Sequence, residues 1–507
     1  MQEDKKILLK ITNLKQYFPL KQKGMYVKAN DGIDLNIYEG ETLGLVGESG
    51  CGKSTFGRTL LELYKQTDGR TMYYGKSLDE VAPKYVKETI KNYSSLRTEL
   101  KKLEEKRKEA EEAFEKADDS QRAIRDEEML KAQRDADAAF LRLTNIFGGF
   151  FALDDCSEAK DLLLHICDLS ENYSKLINDR VPAFSKLEDE RYLQEKKGKR
   201  SRQLKNAEEK VADLDRKIAD LNSQLDKAHA KLDELRSQYD DNEEFQKYEA
   251  YRDDGIDLAR LDYSEMRLLR SDLQLIFQDP YSSLNPRYTV GQIISEGMYA
   301  HRMFSRNSPR RQDKVIEIME SCGLAPYFIH RYPHQFSGGQ RQRIGIARAL
   351  STSPKFVVCD EAVSALDVSI QSQIINLLQD LKEEKNYTYL FITHDLSVVK
   401  YISDRIGVMY LGNIVELADS QELFDHPLHP YTEALLNAIP TTNLDDNREL
   451  VILEGDIPSP VNPPKGCKFH TRCKYCTEEC EQIIPPFIEV RPDHFVACHH
   501  MLGTETK

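Results

Sequence analysis

Nine consecutive residues near the start of the chain have the types and spacing of a phosphate-binding loop. They fit the pattern G-x-x-x-x-G-K-[ST] and read Gly47-Glu48-Ser49-Gly50-Cys51-Gly52-Lys53-Ser54-Thr55. The glycines let successive backbone N–H groups point at phosphate oxygens, and the N-terminus of a following helix adds partial positive charge. Lys53 would reach the β- and γ-phosphates, and the Ser54 hydroxyl would bind Mg²⁺. The loop therefore predicts a site for a nucleoside triphosphate and its magnesium ion.

A second stretch, much further along the chain, ends in two adjacent carboxylates. Phe356 to Cys359 is apolar and predicts a buried strand, which Asp360 and Glu361 follow directly. Asp360 would hold the magnesium ion through water, and Glu361 would accept the proton of the water that attacks the γ-phosphate. Such an ending is common among strands, but together with an upstream phosphate-binding loop it predicts hydrolysis.

A third stretch, Phe336-Ser337-Gly338-Gly339-Gln340, lies between the other two. A serine and two glycines at the start of a helix form another anion-binding N-terminus. With the three stretches in this order, the sequence resembles the nucleotide-binding domain of ABC transporters, whose signature is L-S-G-G-Q. Phe336 replaces the usual leucine, which is a mild departure. The resemblance implies two domains packed head to tail, with ATP between the phosphate-binding loop of one and Ser337 to Gln340 of the other.

The same resemblance implies roles for four further residues. Gln278 matches the glutamine that senses magnesium and nucleotide and touches the membrane subunit. Asp367 matches the D-loop aspartate, and His394 matches the switch histidine that contacts the γ-phosphate. The aromatic side chain that stacks on adenine in this family is expected at Tyr26, with Tyr17 or Phe18 as alternatives.

Longer matches narrow the resemblance to the ATP-binding subunits of bacterial oligopeptide and dipeptide importers. They lie at Gln274 to Arg287, Cys359 to Ser369, His429 to Thr432, Ile457 to Pro460 and Gly466 to Cys473. The resemblance covers residues 5–75 and 262–500, and the F-type subunit is the most similar. It implies an ATPase that pairs with a second ABC ATPase subunit and drives two membrane permeases. An extracellular or periplasmic peptide-binding protein would supply the substrate, for which nickel or another small solute stays an alternative.

The C-terminal tail holds five of the ten cysteines of the chain. Four thiolates can hold either zinc or an iron–sulfur cluster. The tail of the family maps onto Cys467, Cys473, Cys480 and Cys498, and the resemblance implies a [4Fe–4S] cluster there. Cys476 departs from that pattern and creates a Cys-x₂-Cys spacing that zinc also accepts, so zinc stays open.

The elements that must position these residues alternate between strands and helices. Thr42 to Val46 predicts a strand, Phe56 to Tyr64 a helix, and the same alternation resumes after residue 256. It predicts an α/β fold of the ABC-type P-loop NTPase class, with a mainly parallel sheet covered on both faces. We place the nucleotide-binding domain at residues 1–75 and 262–424, and a separate Pro- and Cys-rich C-terminal domain at residues 425–507.

Residues 76–261 interrupt this pattern with a long charged stretch. Apolar residues recur there at steps of four and three, the spacing of a coiled-coil seam. They are Leu204, Ala207, Val211, Leu214, Ile218, Leu221, Leu225, Ala228, Leu232, Leu235 and Tyr239. A rougher seam runs from Leu96 to Ala117. We predict one inserted antiparallel helical hairpin with an exposed apolar tip around Phe147 to Leu153, which serves as a spacer or contacts an unidentified partner.

Composition limits the remaining classes of protein. The net charge of −14 argues against a nucleic-acid partner. No run approaches the roughly 20 apolar residues of a membrane-spanning helix, and the acidic start lacks the pattern of a signal peptide. We therefore expect a peripheral protein at the cytoplasmic face of the cell membrane. The helical insertion leaves one alternative, a chromosome-organising or DNA-repair ATPase with a coiled-coil tether, although the insertion precedes Gln278 where that class places its coils after the glutamine.

Overall fold

The computed structural model describes residues 5–21, 25–117, 122–198, 202–305, 307–438 and 455–503. The chain divides into two compact units, which we call the nucleotide unit (residues 1–75 and 267–507) and the inserted unit (residues 76–266). The strands are β1 (Ile7–Pro19), β2 (Tyr26–Tyr38), β3 (Thr42–Val46), β4 (Asp68–Tyr73), β5 (Ile256–Asp257), β6 (Leu273–Ile276), β7 (Phe356–Asp360), β8 (Thr388–Ile392), β9 (Arg405–Tyr410), β10 (Asn413–Asp419), β11 (Ile488–Arg491) and β12 (His494–Val496).

The helices of both units follow in chain order. They are α1 (Lys53–Leu60), α2 (Leu78–Val81), α3 (Lys84–Lys91), α4 (Tyr93–Glu115), α5 (Arg122–Phe147), α6 (Ser157–Lys197), α7 (Arg202–Ser237), α8 (Glu243–Glu249), α9 (Tyr263–Leu269), α10 (Val290–Ala300), α11 (Arg311–Ser321), α12 (Gly338–Leu350), α13 (Val368–Lys385), α14 (Leu396–Ile402), α15 (Ser420–Asp425), α16 (Pro430–Asn437) and α17 (Glu478–Gln482).

The main sheet of the nucleotide unit has the strand order β11-β12-β10-β9-β3-β8-β7-β6. Strands β6, β7, β8, β3 and β9 run parallel, and β3, β7 and β8 are buried along their whole length. Continuous apolar strands of this kind require helices on both faces of the sheet, because no face is left for water. The predicted α/β fold is confirmed. The parallel register also brings the carboxyl ends of β3 and β7 to one edge, where the loops that follow them can meet.

A smaller antiparallel sheet lies in the same unit, where β1 pairs with both β2 and β4. Its inward residues, among them Leu9, Ile11 and Leu14, are buried, while alternate positions are partly exposed. The alternating apolar and polar pattern of residues 7–38 is typical of such a half-buried sheet.

The Cys-rich tail lies within the nucleotide unit, whereas we had predicted a separate domain. Its strand β12 pairs with β10 and extends the main sheet, with Glu416 opposite Val496. The buried His494 lies 2.8 Å from Glu416, whose carboxylate also accepts the backbone N–H groups of Leu428 and His429. These contacts satisfy a buried carboxylate and join the tail to the sheet. Residues 439–454 and 504–507 of the predicted tail lie outside the described residues.

The inserted unit is built from two helix pairs, α4 with α5 and α6 with α7. Arg107 of α4 lies 3.6 Å from Asp137 of α5, and Arg180 of α6 lies 2.5 Å from Asp215 of α7. Eight of the apolar residues predicted for the seam on α7 are buried. Ala183 and Leu187 of α6 pack against Leu204, Ala207, Val211 and Leu214 of that seam. With 41 residues, α6 extends over about 60 Å.

The predicted single hairpin with an apolar tip is wrong in two respects. The chain makes two helix pairs, and Phe147 and Phe150 lie in the interior of the inserted unit with 0 % and 1 % of their surface exposed. The ring of Phe147 packs on Tyr93 at 4.2 Å between centroids, and Phe150 packs edge-on against Phe245 at 5.4 Å. Aromatic residues bury large areas and favour such tilted and edge-on contacts. The apolar segment therefore forms a core.

Over the described parts of the chain, none of the helices has the combined length and hydropathy needed to span a lipid bilayer.

Candidate functional site

The loop between β3 and α1 has the conformation that phosphate binding requires. Gly47, Gly50 and Gly52 have φ angles of 149°, 82° and 105°. A Cβ atom on Gly52 would lie 2.1 Å from the carbonyl oxygen of Ala29, so this position has no room for a side chain. Lys53 is buried and donates hydrogen bonds to the carbonyls of Gly47 and Glu48 at 2.7 and 2.9 Å. Its ammonium group thus lies inside the loop between β3 and α1.

The predicted magnesium residues on the loop and on β7 lie in contact. The Ser54 hydroxyl donates a hydrogen bond of 2.6 Å to Asp360, whose other carboxylate oxygen is 3.0 Å from the guanidinium of Arg58. Asp360 is 1 % exposed. A buried carboxylate needs such partners, and the Ser54 hydroxyl oxygen could bind a magnesium ion that Asp360 holds through water.

Glu361 lies beside both predicted partners. Gln278 donates a hydrogen bond of 2.5 Å to one carboxylate oxygen of Glu361, and Nδ1 of His394 lies 3.8 Å from the other. Glu361 has a left-handed backbone with φ of 48°, although it is not a glycine. Such strain is found where the surrounding structure fixes a functional side chain. His394 is 58 % exposed, whereas the Glu361 side chain is 16 % exposed. Gln278 and His394 thus flank the carboxylate of Glu361, and the side of His394 is open to solvent.

The signature segment, Phe336 to Gln340, contacts residues on either side of Asp367. Ser337 caps α12 and forms a reciprocal capping box with Gln340, so its hydroxyl is held at the helix start. Gly338 faces Leu366, the residue before Asp367, and Gly339 faces Ile370, in the first turn of the helix that follows Asp367. Among the hydrogen bonds of the described residues, none joins Ser337 to Gln340 with the phosphate-binding loop.

The exposure of the candidate aromatic residues favours Tyr26. Its side chain is 47 % exposed on β2. The hydroxyl of Tyr17 donates to Asp31, and the ring of Phe18 packs edge-on against Tyr64 at 5.3 Å. Both alternatives therefore have partners of their own, and Tyr26 has an open face for a purine ring.

The tail contributes a residue that the sequence did not point to. Arg472 donates two hydrogen bonds, of 2.7 and 3.1 Å, to the two carboxylate oxygens of Glu48 in the phosphate-binding loop. The Tyr431 hydroxyl accepts a further bond from the Glu48 backbone N–H at 2.9 Å. The Arg472 side chain is 4 % exposed, so this bidentate pair is largely removed from water. Glu48 occupies a free position of the loop pattern, and spacing alone gave no signal that the tail would bind it.

The four cysteines that the resemblance assigns to a metal site line one cavity in the tail. Cys467, Cys473, Cys480 and Cys498 face it together with His429 and Phe469, whereas Cys476 does not. All four are free thiols. Burial raises the pKa of Cys467 to about 11 and that of Cys498 to about 12, so both are neutral unless a cation binds. In the described ranges, no group of three or more His, Cys, Asp or Glu residues has the arrangement of a metal-ion site.

Two family sequence models match the chain. The model described as "ABC transporter" matches residues 30–148 and 242–364, and so includes the phosphate-binding loop, the signature segment and the two carboxylates. The model described as "Oligopeptide/dipeptide transporter, C-terminal region" matches residues 415–480. The second match covers most of the segment that carries Arg472 and three of the four cysteines at the cavity.

Two curated relatives match this chain over most of the relatives' own length. The oligopeptide transport ATP-binding protein AppF of Bacillus subtilis is 54 % identical over 248 residues, which are 48 % of this chain and 75 % of AppF. The oligopeptide transport ATP-binding protein OppF of Salmonella typhimurium is 34 % identical over 98 % of this chain and 97 % of OppF. A solved ATP-binding cassette in a dimeric post-hydrolysis state is similar at a TM-score of 0.42 and 16 % identity, over 82 % of this chain and 99 % of that one.

Proposed function

The chain belongs to the oligopeptide transport ATP-binding proteins of the ABC transporter family, and from this premise we propose that it hydrolyses ATP to power the import of oligopeptides or dipeptides. The observation that carries the proposal is the 54 % identity to a relative of that function, of which this chain covers 75 %. The matching C-terminal region is that of the same transporter class. The matches favour neither the chromosome-organising alternative nor nickel as the substrate.

We infer that ATP binds between two ATPase chains. Lys53, Ser54 and Asp360 would contact the phosphates and Mg²⁺ from one chain, and Ser337 to Gln340 would contact the γ-phosphate from the other. Among the described residues of one chain, no hydrogen bond joins the two segments, which supports this arrangement. Tyr26 would stack on the adenine ring, and Asp367 would lie at the junction of the two chains.

In this proposal Glu361 is the general base. Its carboxylate would take a proton from the attacking water, while Gln278 and His394 orient that water and the γ-phosphate. A magnesium ion on Ser54, Asp360 and Gln278 would neutralise charge on the β- and γ-phosphates. The short Gln278–Glu361 hydrogen bond supports a role for Gln278 in holding the carboxylate until the site closes.

We propose that Cys467, Cys473, Cys480 and Cys498 hold a [4Fe–4S] cluster with a structural role. Four free thiols on one cavity are the donor set that such a cluster uses, and Cys476 lies off the cavity. When bound, the cluster would supply covalent cross-links to a tail segment that has few apolar residues. Anaerobic purification followed by iron and acid-labile sulfide determination tests the proposal. Four irons and four sulfides per chain are expected, and stoichiometric zinc without sulfide would contradict it.

We further propose the assembly in which this ATPase works. It would pair with a second ABC ATPase, of which this chain is the F-type partner, and bind two permease subunits at the cytoplasmic face of the membrane. A peptide-binding protein outside the membrane would deliver the substrate. The pairs α4/α5 and α6/α7 would form coiled coils within residues 76–261.

The experiment that tests the proposed function is ATP hydrolysis by the complex purified from detergent-solubilised membranes and reconstituted into vesicles. Hydrolysis should rise when a peptide-loaded binding protein is added outside, and a labelled peptide should accumulate inside the vesicles. Recovery of the chain without permeases, or hydrolysis that does not respond to peptide, would contradict the proposal.

A further inference from the structure

The conserved-looking spacing of the tail cysteines leaves one polar residue of their cavity without a role. His429 lines that cavity together with the four cysteines. It is 1 % exposed, and Nε2 of its ring is buried without a hydrogen-bond partner among the described residues. A buried polar atom without a partner is costly. The ring of His429 therefore points to a group that the cavity binds.

The other ring nitrogen of His429 fixes the position of the ring proton. Nδ1 accepts the backbone N–H of Tyr431 at 3.0 Å, which caps α16. A nitrogen that accepts a hydrogen bond carries no proton, so the proton of the neutral ring lies on Nε2. A histidine that binds a metal through Nε2 needs that nitrogen unprotonated. The cap thus makes Nε2–H a hydrogen-bond donor.

Packing and hydrogen bonds hold the segment around this ring. The ring centroid of Phe469 lies 5.7 Å from that of His429 and 5.3 Å from that of Tyr431. The Tyr431 hydroxyl accepts the backbone N–H of Glu48 at 2.9 Å, and the backbone N–H of His429 donates to the buried Glu416 at 3.0 Å. The proton on Nε2 cannot move to Nδ1 without loss of the cap, so the donor is fixed.

The sulfur atoms of the cavity already receive hydrogen bonds. The backbone N–H groups two positions after Cys467, Cys473 and Cys498 donate to the sulfur of each. The Thr477 hydroxyl lies 3.5 Å from the sulfur of Cys480. Such donors favour the negatively charged thiolate, the form of cysteine that binds metals. The Nε2–H of His429 is one further donor at the same cavity.

The donor set suits a cluster better than a single ion. A zinc ion needs its thiolates about 2.3 Å from one point. Over the described ranges, no group of three or more His, Cys, Asp or Glu residues could hold a single ion. A [4Fe–4S] cluster binds each of four thiolates through a separate iron, so its ligands lie further apart. The cluster also contributes sulfides, which accept hydrogen bonds.

We propose that His429 donates a hydrogen bond from Nε2–H to a sulfur atom of the [4Fe–4S] cluster in this cavity and is not one of its ligands. The inference rests on the cluster given under the proposed function. A hydrogen bond to sulfur stabilises the reduced cluster, which carries one more negative charge, and so raises its reduction potential. His429 is thus a positioning residue, and the His429-Pro430-Tyr431 segment supplies both the donor and the cap that orients it.

Two substitutions separate the donor from the cap. His429→Asn keeps an acceptor for the Tyr431 N–H, since asparagine caps helices well, but it has no donor at the position of Nε2. His429→Gln reaches that position with its amide N–H and is a poorer cap. His426→Asn, at a histidine whose side chain is 57 % exposed and which lies outside the cavity lining, is the matched control.

The test is a redox titration of the anaerobically purified full-length chain, followed by electron paramagnetic resonance. In His429→Asn the one-electron reduction equilibrium should shift about tenfold toward the oxidised cluster, which lowers the reduction potential by about 59 mV. His429→Gln should recover most of this shift, and His426→Asn should match the unaltered chain. Equal potentials in His429→Asn and the unaltered chain, each with four irons and four sulfides, would overturn the proposal.

A second measurement does not depend on a variant at His429. In the unaltered chain labelled with ¹⁵N-histidine, pulsed electron paramagnetic resonance of the reduced cluster should show a weak nitrogen coupling, as expected through an N–H···S bond. This coupling should persist when His470, His499 and His500, which also line the cavity, are each replaced by asparagine. A strong coupling would make a histidine a direct ligand, and the absence of coupling would leave water as the partner of Nε2. Either result would overturn the proposal.

The failure of this proposal differs from the failure of the proposed function. Four irons without a shift in potential and without nitrogen coupling would refute the role of His429 alone. Zinc without sulfide, or a chain without metal, would refute the cluster and the role of His429 together. Peptide-stimulated ATP hydrolysis by the reconstituted complex is measured separately, and none of these results changes its outcome.

Discussion

The nucleotide unit and the inserted unit hold their charged residues in different ways. In the nucleotide unit, buried charges meet across long stretches of the chain, as Asp360 meets Ser54 and as Arg405 meets Glu41 with side chains 8 % and 5 % exposed. In the inserted unit one cluster of buried side chains is aromatic and aliphatic, and an ion pair such as His229 with Asp79 has 44 % and 24 % of its side chains exposed.

This difference has a physical consequence for substitutions. Removing one member of a buried charge pair leaves the other without a partner in a region where water cannot replace it. At Asp360 such a change acts on the nucleotide site itself. Removing a packed ring from the inserted unit leaves a void whose cost stays local. Changes in the first unit should therefore act mainly on chemistry, and changes in the second mainly on stability.

The largest effect is expected for Glu361→Gln. The amide keeps the hydrogen-bonding shape toward Gln278 but cannot accept a proton, so ATP hydrolysis should fall by about 100-fold or more while ATP binding persists. Steady-state hydrolysis by the reconstituted complex and equilibrium binding of labelled ATP measure the two quantities. Glu234→Gln, an exposed change on α7, is the matched control in the other unit and should leave turnover unchanged. Wild-type-like turnover of the Glu361 variant would remove Glu361 as the base.

The next largest effect is expected for Phe147→Ala in the inserted unit. The ring is fully buried against Tyr93, and its loss should cost about 3 to 5 kcal/mol of unfolding free energy. Thermal unfolding should show a transition that moves to lower temperature, while the transition that Mg-ATP stabilises stays in place. Leu130→Ala, at an exposed position on α5, should shift neither transition. A loss of ATP binding in the Phe147 variant would show that the two units are not independent.

Sequence reasoning reached furthest where a function depends on neighbouring residues. The phosphate-binding loop needs glycines, a lysine and a hydroxyl within nine positions. Strand β3 has the predicted bounds, whereas α1 begins at Lys53 and ends at Leu60, earlier at both ends than the predicted helix from Phe56 to Tyr64. The seam on α7 was likewise predictable, because apolar residues at helical spacing must be buried.

Sequence reasoning failed where the outcome depended on which distant segment packs on a residue. Phe147 and Phe150 were predicted at an exposed tip, since an apolar run between two helices does not reveal that Tyr93 and Phe245 will cover it. The tail was predicted as separate because its Pro- and Cys-rich composition hides the pairing of β12 with β10. Arg472 was missed for the same reason, as its partner Glu48 lies in another part of the chain.

A smaller effect is expected for Arg472→Ala, which sharpens the comparison within the nucleotide unit. Glu48 would lose a bidentate partner, and a hydrogen bond to a charged group contributes about 1.5 to 3 kcal/mol. The KM for ATP should rise about tenfold with a smaller change in kcat, because Arg472 positions the loop without touching the reacting atoms. Arg472→Lys should recover part of the loss. Arg491→Ala, which removes from the same tail the partner of Glu422 in a partly exposed ion pair, is the control. Equal effects of the two alanine variants would indicate general loosening of the tail.

The smallest effect is expected for His229→Asn, which removes the partner of Asp79. This substitution tests whether a partly exposed ion pair contributes to the stability of the inserted unit. The hydrogen bond to Asp79 raises the pKa of His229 against the opposing effect of burial. Because the raised pKa favours the protonated form in the folded state, this contribution is complete below the ordinary pKa near 6.5 and is lost as pH rises through the raised value. The His229 side chain is 44 % exposed, so the unfolding free energy should fall by about 0.5 kcal/mol or less. Denaturant unfolding of the inserted unit between pH 6 and pH 9 measures it, with His165→Asn, at an exposed position on α6, as control. His229→Asn should flatten the pH dependence. A slope that His229→Asn leaves intact would show that another group titrates and that the His229–Asp79 pair does not contribute to the pH dependence of stability.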